Sequence, residues 1–408
     1  MHPATRNTTL GIIHECLWGA ALGFINPLTI LPLAAHDLGR SVTDAGLLEA
    51  SLFAGLNVVQ LGAAFVFPPA WTDPKKTAWM HAPALCVTLA TAVTLALPLG
   101  NALHWTLLLW LVTAHWICLG LVVPHWATLS SRNIPDERLG RYFGWCFSAS
   151  GLAMVFTGAL AARLAAQGGV AWGYAGCFGA AFVIQTVSVW LLALTRPLKP
   201  PPDPTPPLKA FLKARWRQFG REKIFLGFGV IIVLLQFASG STQLFTSFVK
   251  DQGCRTADFE LFNPALAVGA TLGSVCLGWI MDRHGPRPAL ALGLLPLLAG
   301  LAALGFGHGA WGSDALGFLC AGVFSMVFGS VMLPWMLRLA EPGQHITYMG
   351  LYSTLTAPWN FLAPFLLGRL AARYGYGSAF GVSAAAVLAM LLALAFLPRA
   401  EPRAGTAS

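Results

Sequence analysis

The chain has 408 residues, of which 56% are hydrophobic and 10% charged, with a formal net charge of +9. A soluble protein of this length carries about 25% charged residues, and no soluble fold of this size hides so much apolar surface. An ordinary soluble enzyme is therefore excluded, and the basic residues, scattered among short gaps, point to membrane orientation rather than to nucleic acid.

Twelve nearly uncharged runs follow one another near 10–34, 43–68, 78–99, 104–128, 142–166, 171–195, 223–248, 258–281, 288–307, 314–338, 346–371 and 376–397. At about 1.5 Å per residue each is long enough to cross a hydrocarbon core of about 30 Å. The first run has no charged leader followed by a small-residue cleavage site, so it is expected to remain as helix 1. SVTD at 41–44 fits a capping box that opens helix 2, with Asp44 in place of glutamate. In helix 4, Trp105 and Trp126 stand 21 residues apart. That is about 31 Å along a helix, which suits the two membrane interfaces, with His104 and His125 beside them reaching water. His115 falls near the midplane, where an ionisable group is a functional candidate by default; the plainer alternative is a neutral imidazole bonded between helices. GAALG at 19–23 and GATLG at 269–273 mark close helix packing, and Pro358 and Pro364 imply a kinked helix 11. Seven of the eight cysteines lie inside spans without metal-ligand spacing, so neither a disulfide framework nor a metal site is expected.

Between helices 6 and 7 six prolines fall between residues 200 and 207, a stiff spacer that cannot hold a helix. Behind it Leu208, Phe211, Leu212, Trp216 and Phe219 recur at helical spacing among Lys209, Lys213, Arg215, Arg217 and Arg221. That pattern suits either a helix lying on an anionic membrane face or a solvated basic linker. The expected organisation is a six-helix bundle over 1–195, a cytoplasmic linker over 196–222, a second bundle over 223–397 and a cytoplasmic tail over 398–408. The halves resemble each other: Gly158 with ALAAR and Gly368 with RLAAR stand 210 residues apart, as do Pro124 and Pro334, while Asp73 and Asp282 are 209 apart. Such repeats argue for duplication of a six-helix unit, the arrangement of secondary transporters with a substrate site near mid-bilayer. With the N-terminus inside, the gaps on that side hold 19 of the 25 Lys and Arg residues and the opposite gaps hold 6. Both termini are expected to be cytoplasmic, and the sequon Asn7-Thr8-Thr9 is expected to stay unmodified.

The loop GWIMDRHGPRP at 278–288 resembles the cytoplasmic signature of the major facilitator superfamily, G-x-x-x-D-R-x-G-R-[RK]: Gly278, Asp282, Arg283, Gly285 and Arg287 match, and Pro286 departs. It lies between helices 8 and 9, where that family keeps its second copy. The first copy, between helices 2 and 3, is reduced to PPAWTDPKK, in which Asp73, Lys75 and Lys76 remain and the glycines are gone. IPDERLGRYFGW at 134–145 also looks like the family's loop between helices 4 and 5. The resemblance implies an all-α polytopic membrane fold of 12 transmembrane helices in two pseudo-symmetric six-helix bundles, with helices 1, 4, 7 and 10 lining a central cavity. Glycine at 278 and 285 suits a tight turn or a close backbone approach. Asp282 is expected to cap a neighbouring helix near His345, and Arg283 to pair with Glu341, latching that face in one state.

Polar stripes on the presumed cavity helices supply the site. Helix 7 places Gln236, Ser239, Gln243, Thr246 and Ser247 in one sector, which lipid would not tolerate. Helix 1 aligns Glu15, Gly19, Asn26 and Thr29, and helix 2 aligns Glu49 with Gln60 and, more loosely, Asn57. The expected substrate-binding residues are Asn26, His115, Gln236, Ser239, Gln243 and Asn360; His115, Glu15 and Glu49 are candidates for proton coupling. The expectation is a secondary active transporter of a neutral or weakly charged small molecule, monomeric in a bacterial inner membrane, coupled to protons or sodium ions, with no cofactor. No GxxxxGK[ST] loop is present to bind nucleotide. Alternatives are export of lipophilic compounds, a receptor that moves no solute, and a membrane enzyme; the last lacks HxxxxD or HExxH spacing.

Overall fold

The computed structural model describes residues 3–135, 139–201, 207–219, 223–307, 310–339 and 345–396. Among them every regular element is helical. The first crossing starts earlier than the hydropathy suggested and is broken in two: α1 (Pro3–Phe24) stops at a turn containing Pro27, and α2 (Ile30–Asp37) resumes. Asn26 holds this break, its side-chain oxygen accepting from Leu28 N at 2.8 Å and its carbonyl from Leu31 N at 3.0 Å.

The second crossing is α3 (Val42–Val58) with α4 (Gln60–Val66), opened by the expected capping box of Ser41 and Asp44. The N-terminal half continues through α5 (Pro74–Met80) and α6 (Ala82–Ala96), α7 (Asn101–Asn133), α8 (Leu139–Gly169) and α9 (Ala175–Ala193). Gly169, at a φ of 57°, ends α8 in a conformation that a side chain would resist, and a five-residue π turn leads the chain back into α9. The linker carries α10 (Leu208–Phe219). The C-terminal half comprises α11 (Lys223–Gly240) and α12 (Phe245–Asp251), α13 (Phe259–His284), α14 (Pro286–Gly307), α15 (Trp311–Val327) and α16 (Leu333–Leu339), α17 (His345–Tyr374) and α18 (Tyr376–Phe396). Nine helical stretches among the described residues are long and apolar enough to cross a membrane; one of them, Tyr142–Ala193, contains both α8 and α9. The expected first and eleventh crossings, α1 with α2 and α17, have helices but are not among the nine.

Each half packs as a lobe, α1 against α8 and α9, and α13 against α14 and α15. The GAALG and GATLG glycines allow it: a Cβ on Gly19 would meet Ser150, and one on Gly269 would meet the Leu319 carbonyl. The lobes join along two symmetric seams, α3 against α17 and α8 against α13. At one end of the first seam Gly46 faces the Pro364 carbonyl, and at the other Gly350 faces the Gln60–Leu61 backbone.

The end of the bundle that carries Arg6, Arg132 and Arg196 is called the basic end here, and the other the far end. At the basic end Asn7 is buried, its amide donating to the carbonyls of Asn133 and Arg196, so the sequon is inaccessible. Arg132 pins the start of the linker by bonds to the carbonyls of Thr72, Lys199 and Pro200. Within α10, Phe211 is buried between Phe65 of α4 and Tyr348 of α17, while Leu208 and Leu212 stay exposed beside Lys209 and Lys213.

The tryptophans of α7 depart from expectation. Trp105 and His104 are buried, Trp105 lies under Arg40, and the rings of His104 and His125 meet the carbonyls of Leu97 and Phe67. Neighbouring loops cover these residues before lipid headgroups can. Among the described residues, Trp79, Trp110, Trp145, Trp172, Trp190, Trp279 and Trp311 are the exposed tryptophans.

Candidate functional site: a cavity between the lobes

A cavity of about 280 Å³ lies between the lobes. Its N-lobe wall is Leu28 from the break in the first crossing, with Phe53, Leu56 and Asn57 of α3. The C-lobe wall brings Gln236, Ser239, Thr242 and Gln243, Phe324, Ser325 and Phe328, and Tyr352, Thr356 and Asn360. No charged side chain lines it among the described residues.

Of the polar stripe of the seventh crossing, Gln236, Ser239 and Gln243 line the cavity, and Thr246 and Ser247 are not among the lining residues. Two of its groups lack hydrogen-bond partners although buried: Gln236 Nε2, a donor, and Gln243 Oε1, an acceptor. Ser239 and Thr242 instead return their hydroxyls to carbonyls of their own helix, Gln236 O at 3.0 Å and Ser239 O at 2.7 Å. Asn360 bonds weakly to Thr356 Oγ1 at 3.4 Å. Thr246 turns away from the cavity and donates to Leu28 O at 2.9 Å, tying the broken first crossing to the seventh.

Two expected binding residues are not in the cavity wall. Asn26 is occupied in holding the α1 break, and its amide faces Met154 Sδ at 3.2 Å. His115 is buried inside the N lobe, where Nδ1 lies 3.0 Å from Thr88 Oγ1 and 3.1 Å from the Ala84 carbonyl oxygen. Thr88 also donates to Gln185 Oε1 at 3.2 Å. A midplane imidazole must avoid lipid, but α6 and α9 shelter it as well as a cavity would. Glu15 lies likewise inside the lobe, 3.5 Å from His14 Nε2 and hydrogen-bonded by Trp126. Glu49 is fully buried on α3, and neither of its oxygens has a hydrogen-bond partner.

The family resemblance named the tenth crossing as a cavity helix, but sequence reasoning put forward none of its residues. A π turn at Phe328–Met332 joins α15 to α16, and Phe324 and Ser325 before it and Phe328 at its start line the cavity. The signal available was Pro334 close behind Gly329.

The motif residues lie at the basic end. Asp73 caps α5 by accepting from Lys75 N at 3.0 Å and Lys76 N at 3.2 Å. Gly285 closes α13 at a φ of 85°, which explains its glycine. Gly278 faces open space within 4 Å, so no close backbone approach requires it, contrary to expectation. Arg283 stacks over Trp279 at 5.3 Å, and Arg287 Nη2 is buried without a hydrogen-bond partner. Asp282 sits in the last turn of α13; Glu341 and the side chain of His345 lie outside the described residues.

An unanticipated charged cluster closes the far end. Asp37 of α2 accepts from Tyr174 Oη at 2.7 Å and lies 3.5 Å from Lys250 Nζ and 3.4 Å from Thr256 Oγ1 across the seam. His36 Nε2 lies 3.5 Å from Asp251, which also accepts from Tyr376 Oη. Arg163 and Glu260, 3.5 Å apart, form an exposed pair nearby. The cluster contains groups from both lobes, so it must come apart for the cavity to open at this end.

The family model described as Major Facilitator Superfamily matches residues 16–261 and again 257–408. An enterobactin exporter, EntS, of Shigella boydii serotype 18 is 27% identical over 250 residues, covering 59% of this chain and 58% of the exporter. EntS of Escherichia coli O81 gives the same identity and the same shares. This match thus spans little more than half the length of either protein. Among solved structures, the nucleoside transporter NupG aligns with a TM-score of 0.64 at 12% identity over 98% of this chain and all of NupG. A D-xylose-proton symporter aligns at 0.66 and 14% identity over 97% of this chain and 98% of its own. At these identities the structural matches speak for the fold alone.

Proposed function

Because this chain belongs to the major facilitator superfamily, we propose that it moves a compact neutral solute across the membrane by alternating access to the inter-lobe cavity. The observation that carries this reading is the pair of partnerless amide groups in a wall without charge. Gln236 Nε2 and Gln243 Oε1 are buried without partners in side chains that line the cavity, so each forfeits a hydrogen bond that a solute would supply once the amide turns toward it. An anionic solute would call for a cation in the wall, and a cationic one for a carboxylate. Phe53, Phe324, Phe328 and Tyr352 offer apolar faces to the solute's carbon skeleton. The volume sits just below the range of about 300–1,000 Å³ of small-molecule sites, which suits a small metabolite.

In this reading the lobes rock about the cavity, and an ion gradient, the proton gradient first, supplies the energy. The concentration of basic residues at the end with Arg6 and Arg196 supports an orientation with that end, and both termini, in the cytoplasm of a bacterial cell. The name of the curated relatives, enterobactin exporters, favours outward movement. Motion of Asp73, Asp282, Arg283 and Arg287 at the basic end would accompany the opening of that face, and a single chain suffices as the working unit.

The test is a thermal-shift screen of neutral metabolites on purified protein, followed by counterflow of each hit in proteoliposomes. Gln243→Ala removes one partnerless group and is expected to weaken the hit by about 1–3 kcal/mol, roughly fivefold to 150-fold in Kd. A hit that stabilises Gln243→Ala as strongly as the parent would remove the cavity from the mechanism, and hits that bind without counterflow would make the protein a receptor.

A further inference from the structure

Glu49 has no place in the packing just described. It is fully buried about 10 Å into α3, and both carboxylate oxygens lack hydrogen-bond partners. Counted at about 100° per residue from Glu49, Phe53, Leu56 and Gln60 fall at roughly +40°, −20° and +20°, a single stripe. Phe53 and Leu56 line the cavity, so Glu49 stands on the cavity-facing stripe one turn toward the far end. A helical side chain leans toward its own N-terminus, which carries the carboxyl further that way.

Among the described residues, the elements around α3 supply no counter-charge. His115 of α7 is turned to Thr88, His104 and His125 to backbone carbonyls, and Arg132 to the linker. His36 and Asp37 of α2 belong to the far-end cluster, and Arg40 lies over Trp105. On α17, Arg369 and Arg373 lie over the rings of Phe365 and Tyr374, and Tyr352 lines the cavity. What does pack on α3 from the far-end side is α2 and the turn at Thr242–Leu244, the two helix breaks of the first and seventh crossings. They bring two buried hydroxyls without partners, Thr29 Oγ1 and Ser241 Oγ.

An ionised carboxylate with neither counter-charge nor hydrogen bond is prohibitively expensive in a membrane interior. A metal cation would want about six oxygen ligands, and no cluster of three His, Cys, Asp or Glu that could hold one exists among the described residues. Resting on the transport reading above, we propose that Glu49 carries the coupling proton. It takes the proton from water when the far end is open, carboxylate plus hydronium giving carboxylic acid plus water, and holds it while the far-end cluster is closed.

Infrared difference spectroscopy of purified protein between acid and alkaline buffers tests the proton site without any solute. The expected result is the C=O band of a buried carboxylic acid, lost in Glu49→Gln and kept in Glu15→Gln; a band unchanged in Glu49→Gln overturns the proposal. Proteoliposomes loaded with the neutral hit of the screen test the coupling. With one proton per solute, a gradient of one pH unit accumulates solute about tenfold in the parent, and Glu49→Gln should fall to no accumulation when normalised to its own counterflow. Accumulation by Glu49→Gln equal to the parent's overturns the proposal, as does loss of counterflow in Glu49→Gln in step with accumulation. A parent that gives no counterflow with any hit would instead defeat the transport reading, and the infrared band would still decide whether Glu49 binds the proton.

Discussion

Neutralising Asp37 should unlatch the far end. In Asp37→Asn the side chain keeps its shape and its bond from Tyr174, which lies in the same lobe and moves with it. What it loses is the charge opposite Lys250, 3.5 Å away across the seam. The two side chains are 23% and 10% exposed, so the pair is worth more than the roughly 0–1 kcal/mol of a solvent-exposed one. The substitution also leaves the Lys250 ammonium buried with one partner fewer, Thr256 Oγ1 at 3.0 Å. A loss of about 1–2 kcal/mol from the closed state follows, which moves the ratio of closed to open by about fivefold to thirtyfold. Spin labels at the exposed Asn101 and Ala310, in a background without the eight native cysteines, would read that shift as a longer far-end distance population. Lys250→Met should produce the same displacement, and the double variant should add less than about 0.5 kcal/mol beyond either alone. Unchanged distances in both single variants would refute the latch, and full additivity would refute the pairing.

Two further substitutions test the packing. Gly269→Ala puts a methyl group against the Leu319 carbonyl, backbone that cannot rotate away; it should destabilise the C lobe by about 1–3 kcal/mol, visible as a lower melting temperature in detergent. Gly278→Ala, where the added methyl meets only open space, is the matched control and should melt within about 0.5 kcal/mol of the parent. Arg132→Ala removes the bonds that hold the carbonyls of Thr72, Lys199 and Pro200 together. Limited proteolysis should then cut near residues 196–201 at least severalfold faster, with the helices themselves intact.

Legibility differed from residue to residue for physical reasons. Gln236, Ser239 and Gln243 could be read as cavity residues because a helix bounded by lipid has nowhere else to put a long polar stripe. His115 could not, since a single polar group at the midplane is equally served by a cavity or by a neighbour such as Thr88, and only the azimuth of α7 chooses between them. Asn26 was read as a substrate-binding residue on the helix 1 stripe, but its side chain is consumed by the break at Pro27. The far-end cluster escaped notice because Asp37 and Lys250, 213 positions apart, look like ordinary charges at helix ends until the lobes meet.

Hydrocarbon thickness acts on each segment separately, so the sequence alone marked most of the apolar crossings, and the signature around Asp282 marked the family. The sequence also marked the capping box at Ser41, a bond between residues three positions apart. Which polar groups share a space was decided only in three dimensions. The π turn after Val327 set the face that the tenth crossing shows, the seam of α3 with α17 set what surrounds Glu49, and the junction of α2 with α12 assembled the latch. Those outcomes depend on the rotation of one helix against another, a quantity governed by every contact along both and encoded in no single stretch of either.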